Sequence, residues 1–318
     1  MKHDLRKLSI LSILLLLSLI LAAPARAWWA GGHKICALAA ASKLPVDMPA
    51  FFRAAASELS DTSTEPDNWK NPTTPHLRNA ERPEHYIDLE YLEGAPIPQQ
   101  RFELLKLYQS KNVDPARAGF LPCTLQEGYE RLMLAFRDYR NRPDEKIVQQ
   151  RIIIYAGLLA HYAQDAAMPL HTTTRYDGKP NPDGGKPLQK GIHDKIDAYP
   201  DRNEFTVPQF SEGLDAEHAV NVWPLIVRTI NEAHTHVDKC YELDALGAFD
   251  KEPAKAREFI LERTRAGTKL TLALWYSGAT AAATSAQDLN SENSRSRVGL
   301  YRRGAPAGVL SSGGFLSS

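Results

Sequence analysis

The sequence predicts an all-α fold, and three observations lead there. Apolar residues recur every three or four positions in six long segments, as in helices with one buried face. Pro, Gly and polar capping residues gather at the ends of those segments. No stretch alternates apolar and polar residues as a half-buried strand does. With 318 residues and a 43% hydrophobic composition, the chain has enough apolar surface to build a core.

The segments follow in order. Residues 33–45 (HKICALAAASKLP) read as a helix stopped by Pro45, and residues 48–59 (MPAFFRAAASEL) as a second. Residues 123–140 open with Thr124 and Glu127 at capping-box spacing and carry Tyr129, Leu132, Met133 and Phe136 on one face. Residues 145–168 are long and apolar and end at Pro169. Residues 215–243 are helical with a kink expected at Pro224. Residues 252–278 begin with Pro253 in a first-turn position, where a missing N–H costs nothing. Together they make a single compact helical domain over 28–280. Two stretches, 61–84 and 172–192, read as long loops, and loops of that length in a compact domain usually carry function.

The ends differ from this domain. Residues 1–27 have a basic start (MKHDLRK), an apolar run and a small-residue ARA site, the layout of a signal peptide cleaved between Ala27 and Trp28. The run is short for a spanning helix, which argues against a retained anchor. The protein is therefore expected to be exported, to the periplasm or the medium. Removing this segment takes four basic residues and Asp4 from 38 of each sign, leaving 34 basic against 37 acidic, a net charge of −3. A slightly acidic chain does not hold nucleic acid by charge alone, though bound cations can supply the positive field for a phosphate ester. Residues 281–318, rich in Ser, Gly and Arg, read as a disordered tail. Export permits a disulfide. Cys123–Cys240 is the expected pair, with Cys36 a buried thiol, and no CxxC suggests a thiolate metal site.

The chemistry concentrates in AHYAQDAAMPLH, residues 160–171. His161 and Asp165 are four apart and share one helix face. Pro169 ends the helix, and His171 lies just past it. Burying two imidazoles and a carboxylate is costly unless they are paired. Downstream, GIHDKID places His193 and Asp197 four apart. Upstream, EHYIDLE offers His85 and Asp88, and WWAGGH offers Trp28 and His33 at the expected mature terminus. Neutral imidazoles and carboxylates without thiolate suit zinc. Any one pair alone reads more simply as a satisfied core residue or a cap. His3, His76, His218, His234 and His236 are assigned no role.

In combination, the N-terminal Trp28, WWAGGH, HYID, HYAQDAAMPLH and HDKID resemble the zinc-dependent phospholipase C and single-strand-specific nuclease superfamily over Trp28 to about residue 280. The resemblance implies an all-α fold with three Zn2+ ions per chain in a cleft. The first would take Asp67, His85, His161 and Asp165. The second would take His171, His193 and Asp197. The third would take the α-amino group and carbonyl of Trp28 with His33 and a second oxygen of Asp165. Asp61 is the alternative to Asp67, which lies closer to His85 and is followed by Lys70, where the nucleases carry an Arg that contacts phosphate. Lys keeps the charge but loses the two-pronged grip.

The implied activity is hydrolysis of phosphodiesters by water activated at metal, with Asp67 orienting the water and able to take its proton, and Lys70 adding charge. The short spacing from Trp28 to His33 and the final Asp197 resemble the nuclease branch. There Tyr86 would stack a base and Asp88 would hydrogen-bond it. The simpler roles of these two residues are core packing and support of His85. The expected substrates are single-stranded RNA or DNA and nucleotides, acted on by a non-specific nuclease and 3′-nucleotidase. A phospholipase C acting on phospholipid head groups is the alternative, and a non-catalytic exported zinc-binding protein the second. No stable protein partner is indicated.

Overall fold

A computed structural model describes residues 30–301, with side chains described through Ala281. The signal segment, its cleavage point, Trp28 and residues 302–318 lie outside the described residues. Helices account for the architecture: α1 (Ala30–Ser42), α2 (Ala50–Ala54), α3 (Ala56–Thr62), α4 (Glu65–Trp69) and α5 (Pro75–Glu81); α6 (Arg101–Ser110), α7 (Pro115–Ala118), α8 (Leu121–Asn141) and α9 (Lys146–Asp165); α10 (Ile192–Asp197), α11 (Tyr199–Arg202) and α12 (Val207–Ser211); and α13 (Trp223–Thr235), α14 (Val237–Ala245) and α15 (Arg257–Tyr301). Among the described residues no strand forms; there are only isolated bridges, Ile87 with Gly119 and Lys179 with Leu188. No helix among them is long and apolar enough to cross a membrane.

The centre of the fold is α9, which packs against α8, α15, α3 and α1. The α15 indole of Trp275 donates to the Ala156 carbonyl of α9 at 2.9 Å, and its ring meets Phe52 edge-on at 5.5 Å. Two glycines allow the helices their close approach. A Cβ on Gly157 would lie 2.5 Å from Thr62 Cβ, and one on Gly267 would lie 2.9 Å from Gln164 Cα. Each forfeits up to about 1 kcal/mol of helix propensity, which the tighter packing offsets. As a result the last turns of α9, Leu159 through Asp165, are buried on every side. An all-round apolar helix face is thus interrupted by His161 and Asp165 where no water reaches them.

Several elements differ from the sequence expectation. The second segment splits into α2 and α3 at Ala55. Thr124 is not a cap. Helix α8 begins earlier, with Pro122 in its first turn, and the Thr124 hydroxyl instead donates to the Glu84 carboxylate, while Glu127 accepts from Arg101 Nε at 2.7 Å. Pro224 does not kink a helix but starts α13, where its missing N–H leaves no hydrogen bond broken. The expected loop at 61–84 contains α4 and α5, because Pro66 and Pro75 each start a short helix. Residues 172–192 are irregular apart from the turn Pro169–Thr172, the Lys179–Leu188 bridge and the start of α10. Helix α15 continues beyond position 280 to Tyr301, through Ala, Ser and Gln with no Pro to stop it. The expected Cys123–Cys240 disulfide is corrected: all three thiols are free and buried. Cys123 on α8 belongs to one apolar cluster and Cys240 on α14 to another.

Candidate metal centre

Five segments far apart in sequence bring their polar side chains to one place. Among the described residues three buried or nearly buried groups have ligand atoms close enough to share a metal ion: His33 with His161 and Asp165, Asp67 with His85 and His161, and His171 with His193 and Asp197. His33 comes from α1 and stacks on His161 with ring centroids 3.9 Å apart. His161 Nε2 lies 3.3 Å from Asp165 Oδ2 and 3.7 Å from Asp67 Oδ1. His85, at the end of a 3-10 turn (Arg82–His85), points Nδ1 at Asp165 Oδ2 from 2.9 Å. His171 and His193 stack at 5.0 Å, and His193 Nε2 sits 2.9 Å from Asp197 Oδ2.

The structure therefore brings together His33, Asp67, His85, His161, Asp165, His171, His193 and Asp197. Trp28 lies outside the described residues. Asp61 is not at the centre: it is exposed on the surface, 3.3 Å from Lys34. Lys70 is at the centre, 2.5 Å from Asp67 Oδ1.

The donor set fits a metal. Four of the histidines engage Nδ1 with an oxygen: His33 with Gln164 Oε1 at 2.6 Å, His161 with the Ser63 carbonyl at 2.8 Å, His171 with the His85 carbonyl at 2.7 Å, and His193 with the Tyr176 carbonyl at 3.3 Å. Such contacts hold the proton on Nδ1 and leave the Nε2 lone pair for a ligand. His33 Nε2, His171 Nε2, Asp165 Oδ1 and Asp197 Oδ1 are buried with no hydrogen-bond partner. An orphaned buried polar atom costs about 1–3 kcal/mol, so a cluster of them converging on one region calls for a cation.

Electrostatics agree. Burial pushes His33 and His161 down to about 4, and His85 and His171 well below the usual imidazole range. All four are neutral at pH 7, as ligands must be. His193 is the exception: burial depresses it, but Asp197 raises it above the ordinary value. Burial lifts Asp165 to about 7 and Asp197 to about 6, so without a cation these carboxylates resist ionising. Asp67 is also pushed up by burial, but Lys70, His161 and His33 together bring it below its ordinary value.

His85, His171 and His193 open onto a cleft of about 710 Å³ whose walls include Lys70, Arg82, Tyr86, Asp88, Arg117 and Tyr176. The Tyr86 hydroxyl donates to the Ala116 carbonyl at 2.6 Å, which holds the ring in the wall. Asp88 is nearly buried, and burial followed by Glu90 pushes its carboxyl to about 7, with Arg117 opposing.

Two residues at the centre escaped the sequence analysis. Glu81 places Oε1 3.2 Å from His85 Nε2, an ion-pair distance without full hydrogen-bond alignment. Gln164 holds His33. Both had a spacing signal: Glu81 is four residues before His85, and Gln164 sits inside the His161–Asp165 turn. A further group, Glu232, His236 and Glu262, lies on the surface. There the buried Arg263 guanidinium already contacts both carboxylates, at 3.0 and 2.7 Å, and supplies the countercharge a metal would bring.

Fold and site thus define an all-helical protein with a buried histidine–carboxylate centre able to hold metal beside an open cleft. No family model matches the chain, and no curated protein matches it. Among solved structures the chain is similar to the alpha-toxin of Clostridium perfringens from avian strain SWCP, at 15% identity and a TM-score of 0.43, over 81% of this chain and 66% of that one.

Proposed function

We propose that the protein is an exported zinc-dependent phosphodiesterase, acting as a single-strand-specific nuclease on RNA, DNA and nucleotides. The observation that carries this reading is the convergence of eight His and Asp side chains, several with unpartnered ligand atoms, on one buried region from which His85, His171 and His193 reach a cleft that also presents Lys70, Arg82 and Arg117. Asp67, His85, His161 and Asp165 would hold one ion, and His171, His193 and Asp197 a second. His33, the other oxygen of Asp165 and the terminus of Trp28 would hold a third. Bound zinc would lower the pKa of water towards neutrality and neutralise the non-bridging oxygens of a phosphodiester.

The protein's own groups have separate tasks. Asp67 is held ionised by Lys70, so it can accept a hydrogen bond from the attacking water and aim it at phosphorus. A carboxylate below its ordinary pKa is a weak base, which favours orientation over proton removal. Lys70, Arg82 and Arg117 place positive charge where phosphate oxygens would lie. Tyr86 offers a fixed ring for a base, a contact tolerant of sequence. Asp88, whose carboxyl burial pushes up to about 7, keeps a substantial protonated fraction at neutral pH and can then donate as well as accept a hydrogen bond there.

The test uses zinc-loaded protein beginning at Trp28, incubated with single-stranded RNA, single-stranded DNA and phosphatidylcholine vesicles, with products identified by mass. Mononucleotides bearing 5′-phosphates are expected. Intact polymer with released phosphocholine would overturn the nuclease reading in favour of a phospholipase C. No zinc-dependent product from any substrate would leave a zinc-binding protein without catalysis.

A further inference from the structure

We propose that Glu81 is a positioning residue that fixes His85 with its ring reversed relative to the other histidines, so that Nδ1 rather than Nε2 faces the centre. This rests on the reading of the centre as a metal site.

The reversal is visible in the distances. His33, His161, His171 and His193 all turn Nδ1 to a carbonyl or amide oxygen. His85 instead brings Nδ1 to 2.9 Å from Asp165 Oδ2, 3.0 Å from His161 Nε2 and 4.0 Å from Asp67 Oδ1. Its Nε2 faces away from the centre and has no hydrogen-bond partner, with Glu81 Oε1 beside it at an ion-pair distance of 3.2 Å.

Local structure explains why. Helix α5 ends at Glu81 and runs directly into the Arg82–His85 turn, after which Tyr86 is extended at φ −147° and ψ 168°. Residues 81 and 85 therefore stack one turn apart, with the carboxylate against the outer edge of the imidazole. Glu81 is itself nearly buried, and the hydroxyl of Tyr162, the residue after His161, donates to the same Oε1. The Tyr162 ring also meets His85 edge-on at 5.4 Å. Glu81 is thus held from the ligand helix α9, with its carboxylate oxygen beside His85 Nε2.

A neutral imidazole carries one ring proton. If Nδ1 gives its lone pair to a cation, the proton must reside on Nε2, and Glu81 Oε1, 3.2 Å away, needs only a small realignment to accept it. A carboxylate in that position sets the tautomer, locks the ring and strengthens the ligand nitrogen, and loss of such a partner costs about 10–100-fold in metal affinity.

The test uses the full chain and the variants Glu81→Ala, Glu81→Gln and Tyr162→Phe. Zinc affinity is read by chelator competition, and histidine tautomers by ¹⁵N NMR of the ring nitrogens. Glu81→Ala is expected to weaken one bound ion by about 10–100-fold, leave the others unchanged, and change the ring signature of His85 alone. Glu81→Gln, whose amide oxygen can take the acceptor role towards Nε2–H, should recover part of the loss. Tyr162→Phe, which keeps the contact to His85, should stay within a few-fold of the parent. Unchanged affinity and tautomer in Glu81→Ala would overturn the proposal alone. So would a loss spread over all ions and matched by Tyr162→Phe, which would make Glu81 a packing residue. A parent protein that takes up no zinc would overturn the metal reading and this proposal with it.

Discussion

Asp165 Oδ2 lies 2.9 Å from His85 Nδ1, while Asp165 Oδ1 is buried, has no hydrogen-bond partner, and lies 3.7 Å from His33 Nε2. One carboxylate thus turns its two oxygens towards histidines from opposite ends of the N-terminal third of the chain. If each oxygen serves a different ion, Asp165→Ala should remove two of them at once. Metal analysis of the dialysed protein is expected to fall by two per chain relative to the parent. A loss of one, or none, would show that the carboxylate does not bridge.

The same residue sets a pH dependence. Burial pushes its carboxyl from the ordinary 3.8 to about 7. Between those values the folded, metal-free protein keeps a proton that the unfolded chain has released, so stability falls as pH rises through that window. Asp165→Asn removes the titration. Under chelation the variant should gain on the parent between pH 4.5 and pH 7.5, by on the order of 1–3 kcal/mol, and the gap should level off above. Urea unfolding at the two pH values measures it. A gap that narrows with rising pH would mean that the carboxyl is not held protonated. With saturating zinc the order should invert, because the parent alone retains the full ligand set.

Much of this was legible in the sequence, and the reasons for the remainder are physical. His161, Asp165, His193 and Asp197 were readable because a four-residue spacing fixes a shared helix face whatever the tertiary fold. The preference for Asp67 over Asp61 rested on proximity to His85, and the structure places Asp67 at the centre and Asp61 at the surface. The helices α4 and α5 were missed because stretches of five and seven residues are too short to show a period. Their start signals, Pro66 and Pro75, also look like loop residues. Pro224 was misread because a proline marks a helix start and a helix kink with the same letter; only the irregular backbone before Trp223 separates the two. The cysteine pairing failed because it is a statement about distance, and no local pattern reports which core cluster a residue joins.

The thiols give a direct check. Cys36, Cys123 and Cys240 are each buried, and burial pushes Cys36 and Cys123 up to about 12. Alkylation of the native protein should label none of them within minutes, since the thiolate is the reactive form. Alkylation after unfolding without reductant should label all three, counted by intact mass. Recovery of only one labelled site would reinstate a disulfide.

Tyr86 separates a binding ring from a structural hydrogen bond. Its hydroxyl reaches the Ala116 carbonyl at 2.6 Å, and its ring lines the cleft. Stacking contributes about 1–3 kcal/mol per base, so Tyr86→Ala should lower kcat/KM on single-stranded RNA by roughly 10–100-fold. Tyr86→Phe keeps the ring and should stay close to the parent. Equal losses in both would assign the residue to holding the wall of the cleft.

Gly267 links helix packing to the centre. Its site on α15 faces α9 so closely that a Cβ would come 2.9 Å from the Gln164 Cα, a backbone atom that no rotamer change can move aside. Gln164 in turn holds His33 Nδ1 at 2.6 Å. Gly267→Ala should therefore separate the two helices and displace the His33 anchor, with a loss of about 1–3 kcal/mol from overpacking against a gain of up to about 1 kcal/mol in helix propensity. Gly278→Ala on the same helix is the control. Its Cβ would sit 3.5 Å from Leu132 Cγ, an ordinary contact, so propensity should dominate and the variant should be neutral or slightly more stable. Thermal unfolding under chelation gives the stability difference, and zinc titration gives the second readout, in which only Gly267→Ala should weaken an ion. If both variants behave alike, the close approach at Gly267 does not control the geometry of the centre.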